Sequence, residues 1–104
     1  MKRRFTFLAA FFALSVLAAQ AASTHAGWIS DSNCGAKHMG TGAECVRSCI
    51  RNGAKPVFVD AEKQVWSIDN PGAVKGFYGD HVKVSVSEDA ANKTVHVRSI
   101  SEIK

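Results

Sequence analysis

The chain has 104 residues, of which 46% are hydrophobic, with 13 Lys and Arg against nine Asp and Glu and only three cysteines. This length predicts a single domain. Three of the basic residues lie at positions 2–4, so residues 22–104 carry a net charge of only +1, and no clustered charge predicts a nucleic-acid-binding surface.

The first 21 residues predict a secretory signal peptide. Three basic residues precede an apolar run from Phe5 to Ala19, which ends in the small-x-small triplet Ala19-Gln20-Ala21, the order expected of a cleaved signal. The run is shorter than the roughly 20 residues of a membrane-spanning helix. No cysteine stands at the expected cut, so neither a lipid anchor nor a membrane anchor is predicted. We expect residues 22–104 to form one domain in the periplasm or outside a bacterial cell.

After the expected cut, the pattern predicts a strand and then a cysteine-bearing helix. His25 is expected to be disordered, and the strand covers Gly27–Asp31. A loop of small residues leads to Thr41 and Glu44, which match a T-x-x-E capping box, and the helix is expected to end at 52–53, an Asn-Gly pair. Spacings of three and four place four residues on the inward stripe of this helix, namely Cys45, Val46, Cys49 and Ile50.

The rest of the chain predicts four more strands and a second short helix. Residues 57–68 read as a hairpin of two strands, and Pro71 opens a helix of two turns at most. Alternating valines predict two half-buried antiparallel strands at 82–87 and 95–100. A bulge is expected near Ser99, because Ile100 is out of phase with the preceding valines.

This order of elements predicts a mainly β chain with two short helices. Five strands with a helix between the third and fourth match a small five-stranded OB-like barrel, into which a cysteine-bearing helical segment is inserted after the first strand. A small open α+β roll or a sandwich of the same content is the alternative fold.

The segments GWISDSNCGAKH, ECVRSC, GAKPVFVD, HVKVSV and VHVRSI span nearly all of residues 22–104. Their most specific part is C-G-x-x-H followed by C-x-x-x-C, which here is Cys34, Gly35, His38, Cys45 and Cys49. In this combination the chain resembles a family of short secreted bacterial proteins of unknown function with a predicted OB-like fold. The resemblance implies the fold and the compartment, and it implies no activity, cofactor or catalytic residue.

The cysteines allow a disulfide with one thiol left over, as an oxidising compartment favours. Cys45 and Cys49 lie four apart on a helix, where Cβ atoms are about 5–6 Å apart, whereas a disulfide needs about 3.8 Å. Cys34 is therefore the better partner for Cys49, or for Cys45. A closed loop of about 15 residues would stabilise the fold by roughly 3 kcal/mol.

A metal site is the second interpretation. Cys34, His38, Cys45 and Cys49 form C-x3-H-x6-C-x3-C, in which the helix spacing that disfavours a disulfide suits coordination. Zn²⁺ accepts a Cys3His tetrahedron, and Cu(I) prefers thiolates. The third interpretation is a redox or catalytic thiol, with Cys45 in the first turn of the helix and His38 nearby, although no C-x-x-C is present.

Aromatic side chains offer a further, weaker site, because OB folds stack bases and sugars on aromatic rings. The residues concerned are Trp28, Trp66 and Tyr78. The carboxylates, Asp31 among them, stand singly at turns or caps, so no acid–base pair is predicted and enzymatic activity is left open. We expect a small exported non-enzymatic binding module, monomeric and of unknown partner, in which the Cys/His segment staples the fold by a disulfide or holds Zn²⁺ or Cu(I). The alternatives are a thiol-based redox protein and an OB-type oligosaccharide or nucleic-acid binder.

Overall fold

The computed structural model describes residues 22–38 and 42–104, without the side chain of His38. The predicted signal peptide and Thr41 lie outside these residues. The described residues form three short 3₁₀ turns, one helix and five strands. The helix and strands are β1 (Ser23–Asp31), α1 (Ala43–Arg51), β2 (Pro56–Asp60), β3 (Val65–Ile68), β4 (His81–Asp89) and β5 (Thr94–Glu102). The prediction of a mainly β chain with five strands is confirmed, and the second predicted helix is a single 3₁₀ turn at Pro71–Val74. Within the described part of the chain, no helix is long and apolar enough to cross a membrane.

The five strands form one mixed sheet that closes into a ring in the order β1-β2-β3-β5-β4. The pair β3–β5 is parallel, and the other pairs are antiparallel. The ring closes through β1, whose first part pairs with β4 and whose last part pairs with β2. The described strands therefore belong to one sheet, not to the two facing sheets of a sandwich.

Gly27 lies where β1 is paired with both neighbours, opposite Asp60 of β2 and Val82 of β4. A Cβ atom at this position would lie 2.2 Å from the Val59 carbonyl oxygen and 2.8 Å from the Phe58 ring. Since real Cβ atoms do not approach other atoms so closely, glycine is the residue that lets three strands come together here.

The interior of the ring is filled by the alternating apolar residues that the sequence predicts. Buried side chains contributed by every strand form the core cluster, which contains Ile29, Phe58, Ile68, Val74, Val82, Val84, Val86, Val95 and Val97. Ser85 pairs with Ser99 whereas Val86 pairs with Val97, so Arg98 is the extra residue of a bulge. The predicted bulge near Ser99 is confirmed, and it turns Ile100 back towards the core.

The first strand is longer than its sequence pattern indicates. It begins at Ser23 instead of Gly27, and His25 pairs with Val84 and contacts the Glu88 carboxylate through its Nε2. The expectation that His25 is disordered is therefore wrong. The reason is that β4 is nine residues long and supplies backbone partners to a segment whose own side chains show no apolar alternation.

Candidate metal centre

The turn that carries Cys34 is held to the end of β1 by buried polar side chains. Asp31 Oδ1 accepts hydrogen bonds from the backbone amides of Asn33 and Cys34, both at 2.9 Å. Ser30, which is buried, donates its hydroxyl to the Gly35 carbonyl at 2.6 Å. Because both sides of the turn are tied to the same strand, the backbone position of Cys34 is well determined.

The helix that carries the other two cysteines begins later than the capping box predicts. Its N-cap is Gly42, in the left-handed region at φ 81°, and no side chain caps the helix. Glu44 pairs with Arg47 at 3.1 Å. The capping-box prediction is therefore wrong about the N-cap. The C-terminal prediction is confirmed, because the helix is capped at Asn52 and Gly53 follows with φ +108°.

Helix α1 rests on the sheet through few contacts. Val46 is its one buried residue, and Arg47 donates from Nη1 to the Tyr78 carbonyl at 3.2 Å. The start of the helix lies against Gly79, where a Cβ atom would be 2.7 Å from the Cα of Ala43. The predicted inward stripe is found only in part, because Val46 is buried, Cys49 and Ile50 are half-buried, and Cys45 is exposed.

These elements bring the three cysteines together. The Sγ atoms of Cys34, Cys45 and Cys49 all lie within 4.8 Å of one another, although one comes from the turn after β1 and two come from α1. All three are free thiols in this structure. The predicted Cys34–Cys49 disulfide would require a sulfur–sulfur distance near 2.05 Å, and that bond stays a prediction.

The environment of the cluster disfavours thiolates in the absence of a cation. Burial, the negative charge of Asp31 and a hydrogen bond with the Cys45 side chain raise the pKa of Cys34 from 9.0 to about 11. Burial also raises the pKa of Cys49, and Asp31 and Cys45 act in the same direction. Desolvation and a nearby like charge both penalise the anionic form, so these thiols are protonated at neutral pH unless a positive ion compensates.

Asp31 is the residue that the sequence reasoning missed. Its side chain is completely buried, and among the described residues its Oδ2 has no hydrogen-bond partner. The other carboxylate oxygen, Oδ1, holds the turn of Cys34. Its position directly before the S-N-C turn was a visible signal, but burial of a carboxylate is not visible in a sequence.

Among the described residues, the predicted aromatic site residues do not join the cluster. The side chain of His38 lies outside the described part, so its role as a ligand stays a prediction. Trp28 stacks on His81 with ring centroids 4.2 Å apart. Tyr78, partly buried, packs against the core. These aromatic residues lie on separate elements and already have neighbours within the protein.

The indole side chain of Trp66 already has two partners within the protein. Its indole Nε1 donates to Asp60 Oδ2 at 3.0 Å, and Lys93 Nζ lies 4.5 Å from the centroid of its ring. Burial of Asp60 would raise its pKa, but the hydrogen bonds from Trp66 and from the amides of Gln64 and Glu62 outweigh burial, so the pKa is lowered. The ring is therefore held by contacts within the protein.

The three sulfurs form a possible metal-binding site. With Zn–S bonds of about 2.3 Å, neighbouring sulfurs in a tetrahedral site are about 3.8 Å apart, so the observed cluster needs only small side-chain adjustments. Three thiolates suit zinc and Cu(I) alike, and the sulfurs alone do not distinguish between these ions.

Comparison with known proteins gave no match. No protein-family model matches the chain, no curated protein is significantly similar to it, and no solved structure is either. The resemblance to short secreted bacterial proteins therefore stays a prediction from the motifs, and function is argued from the site.

Proposed function

We propose that this protein is a small exported module that holds a thiophilic metal ion through Cys34, Cys45 and Cys49. The observation that carries the proposal is the convergence of three free sulfurs from two separate elements within 4.8 Å. Export to the periplasm or beyond is proposed from the signal-peptide pattern of residues 1–21.

We further propose that the scaffold is an OB-type barrel. The closed order β1-β2-β3-β5-β4 with a parallel β3–β5 pair supports this assignment, as does a helical turn between β3 and β4 at Pro71–Val74. OB folds commonly bind ligands with the loop that joins their first two strands. In this chain that connection is the segment carrying all three cysteines.

The geometry favours metal binding over a redox thiol. A reactive cysteine needs a lowered pKa, whereas the pKa of Cys34 is raised to about 11 and that of Cys49 is raised as well. A disulfide would use two of the three sulfurs and leave the third beside it, whereas a metal ion uses all three. In the folded protein, the protonated thiols of Cys34 and Cys49 also oxidise slowly.

A bound ion would add to the stability of the fold. Helix α1 buries only Val46, and the ion would tie Cys45 and Cys49 of this helix to Cys34 on the end of β1. Ligand binding to the folded state alone stabilises it by about 2.7 kcal/mol when the free ion is at one hundred times its dissociation constant. The ion would therefore stabilise the folded state, as a disulfide does in other small exported domains.

The test is native mass spectrometry of protein purified from the periplasm, combined with Cd²⁺ titration. We expect one ion per chain, a thiolate-to-cadmium absorption band, and loss of both in Cys45→Ser. Arg51→Ala, an exposed change on the same helix, is the matched control and should keep the ion. A mass two hydrogens below the reduced chain, with one alkylatable cysteine and no ion, would instead support the disulfide.

A further inference from the structure

We propose that Asp31 determines the charge selectivity of the site and makes it prefer a divalent ion over a monovalent one. This inference rests on the proposed function, and it identifies which thiophilic ions the cysteines hold. It concerns a residue that contributes no sulfur and that no sequence motif points to.

The position of Asp31 is unusual for a carboxylate. The side chain is completely buried, and its Oδ1 accepts hydrogen bonds from the backbone amides of Asn33 and Cys34. Its Oδ2 has no partner in the described residues, and none of the ion pairs found there includes Asp31. A buried carboxylate without a compensating cation destabilises the folded state.

A cation at the sulfurs would lie near this carboxylate, because Asp31 Oδ1 accepts a hydrogen bond from the backbone amide of Cys34. The Coulomb energy between a fixed charge and an ion is proportional to the charge of the ion. Asp31 therefore contributes twice as much attraction to Zn²⁺ or Cd²⁺ as to Cu(I) or Ag⁺ held at the same place.

This proportionality predicts a specific pattern of affinities. Both ions displace the same thiol protons, so the effect of Asp31 on the thiols cancels in the ratio of the two affinities, and neutralising Asp31 should lower the Cd²⁺ to Ag⁺ affinity ratio, for example about 10-fold. A residue that merely positioned Cys34 would weaken both ions by the same factor.

The variant that tests this is Asp31→Asn, because the Asn side-chain oxygen can still accept the two amide hydrogen bonds of the turn. Asp31→Ser, whose hydroxyl also accepts from a turn amide, is the second neutral variant. The matched control is Asp60→Asn. Asp60 also lies at a strand end and accepts two amides from the turn that follows, but its Oδ2 is bonded to Trp66.

Cd²⁺ and Ag⁺ affinities are measured by competition for wild type and for each variant, and metal-free stability is measured by chemical denaturation. We expect the neutral variants at position 31 to be at least as stable as wild type without metal and to have a lower ratio of Cd²⁺ affinity to Ag⁺ affinity. Asp60→Asn should keep the Cd²⁺ to Ag⁺ preference of wild type.

An unchanged or higher Cd²⁺ to Ag⁺ affinity ratio, or failure of both neutral variants to fold, would overturn the inference. Each of these outcomes is distinct from failure of the proposed function, in which wild type itself would bind neither Cd²⁺ nor Ag⁺.

Discussion

In metal-free protein, the thiol of Cys34 should react slowly with alkylating agents. Burial, Asp31 and Cys45 raise its pKa from 9.0 to about 11, and only the thiolate is nucleophilic. Near neutral pH this shift lowers the thiolate fraction about 100-fold. A more basic thiolate is intrinsically more reactive, with a Brønsted slope of about 0.4–0.5. This higher reactivity raises the rate about eight-fold and offsets part of the loss. We therefore expect alkylation roughly ten-fold slower than for an ordinary thiol.

The assay is iodoacetamide labelling of the metal-free protein, quantified for each cysteine by peptide mass spectrometry. The same residue in the chain unfolded by guanidinium is the control. Labelling of folded Cys34 should keep accelerating up to about pH 11, whereas the unfolded control should level off near its unperturbed pKa of 9.0. Labelling of folded Cys34 at or above the unfolded rate at neutral pH would refute the reasoning and favour a redox thiol.

The raised pKa of Cys34 also makes the stability of the metal-free protein depend on pH. Because the folded state holds the proton more tightly than the unfolded state, the protonated thiol of Cys34 contributes stability that is fully present below about pH 9. This contribution is lost as the pH rises through the folded pKa of about 11. Metal-free protein should therefore become less stable in this alkaline window.

Two further substitutions test the fold that carries the site. Gly27→Ala should destabilise by about 1–3 kcal/mol or more, because its Cβ would lie 2.2 Å from the Val59 carbonyl oxygen; an unchanged denaturation midpoint would contradict the close approach. Asn70→Ala should cost about 1–3 kcal/mol, since its side chain donates to the Val97 carbonyl at 2.8 Å and accepts from the Val97 amide at 2.9 Å. Gly72→Ala, with no atom within 4 Å of its Cβ, is the control for both and should leave the midpoint nearly unchanged.

The parts of the fold that could be predicted from the sequence are those in which a side-chain pattern and a local rule agree. Alternating valines identified β4 and β5, and the phase change at Ile100 located the bulge that the register confirms. The Asn52-Gly53 pair marked the helix end for a similar reason, because glycine tolerates the positive φ found there.

The features that the sequence did not reveal depend on contacts between distant segments. The first residues of β1 are polar and become a strand only because β4 lies beside them. The helix starts at a left-handed Gly42, and its first residue, Ala43, lies against Gly79 of a distant loop. Asp31 reads as an ordinary turn residue, and its complete burial follows from its place at the end of a strand in a closed sheet.

The division of the three sulfurs between two elements explains how the site and the fold depend on each other. Cys34 is fixed by hydrogen bonds to the strand that closes the sheet, whereas Cys45 and Cys49 lie on a helix with one buried residue. One of the three sulfurs is therefore fixed to the sheet, and the other two depend on a helix with little buried surface. Under the proposed function, part of the binding free energy would be used to hold α1 against the sheet. The ion would then be a structural part of the fold as well as its ligand.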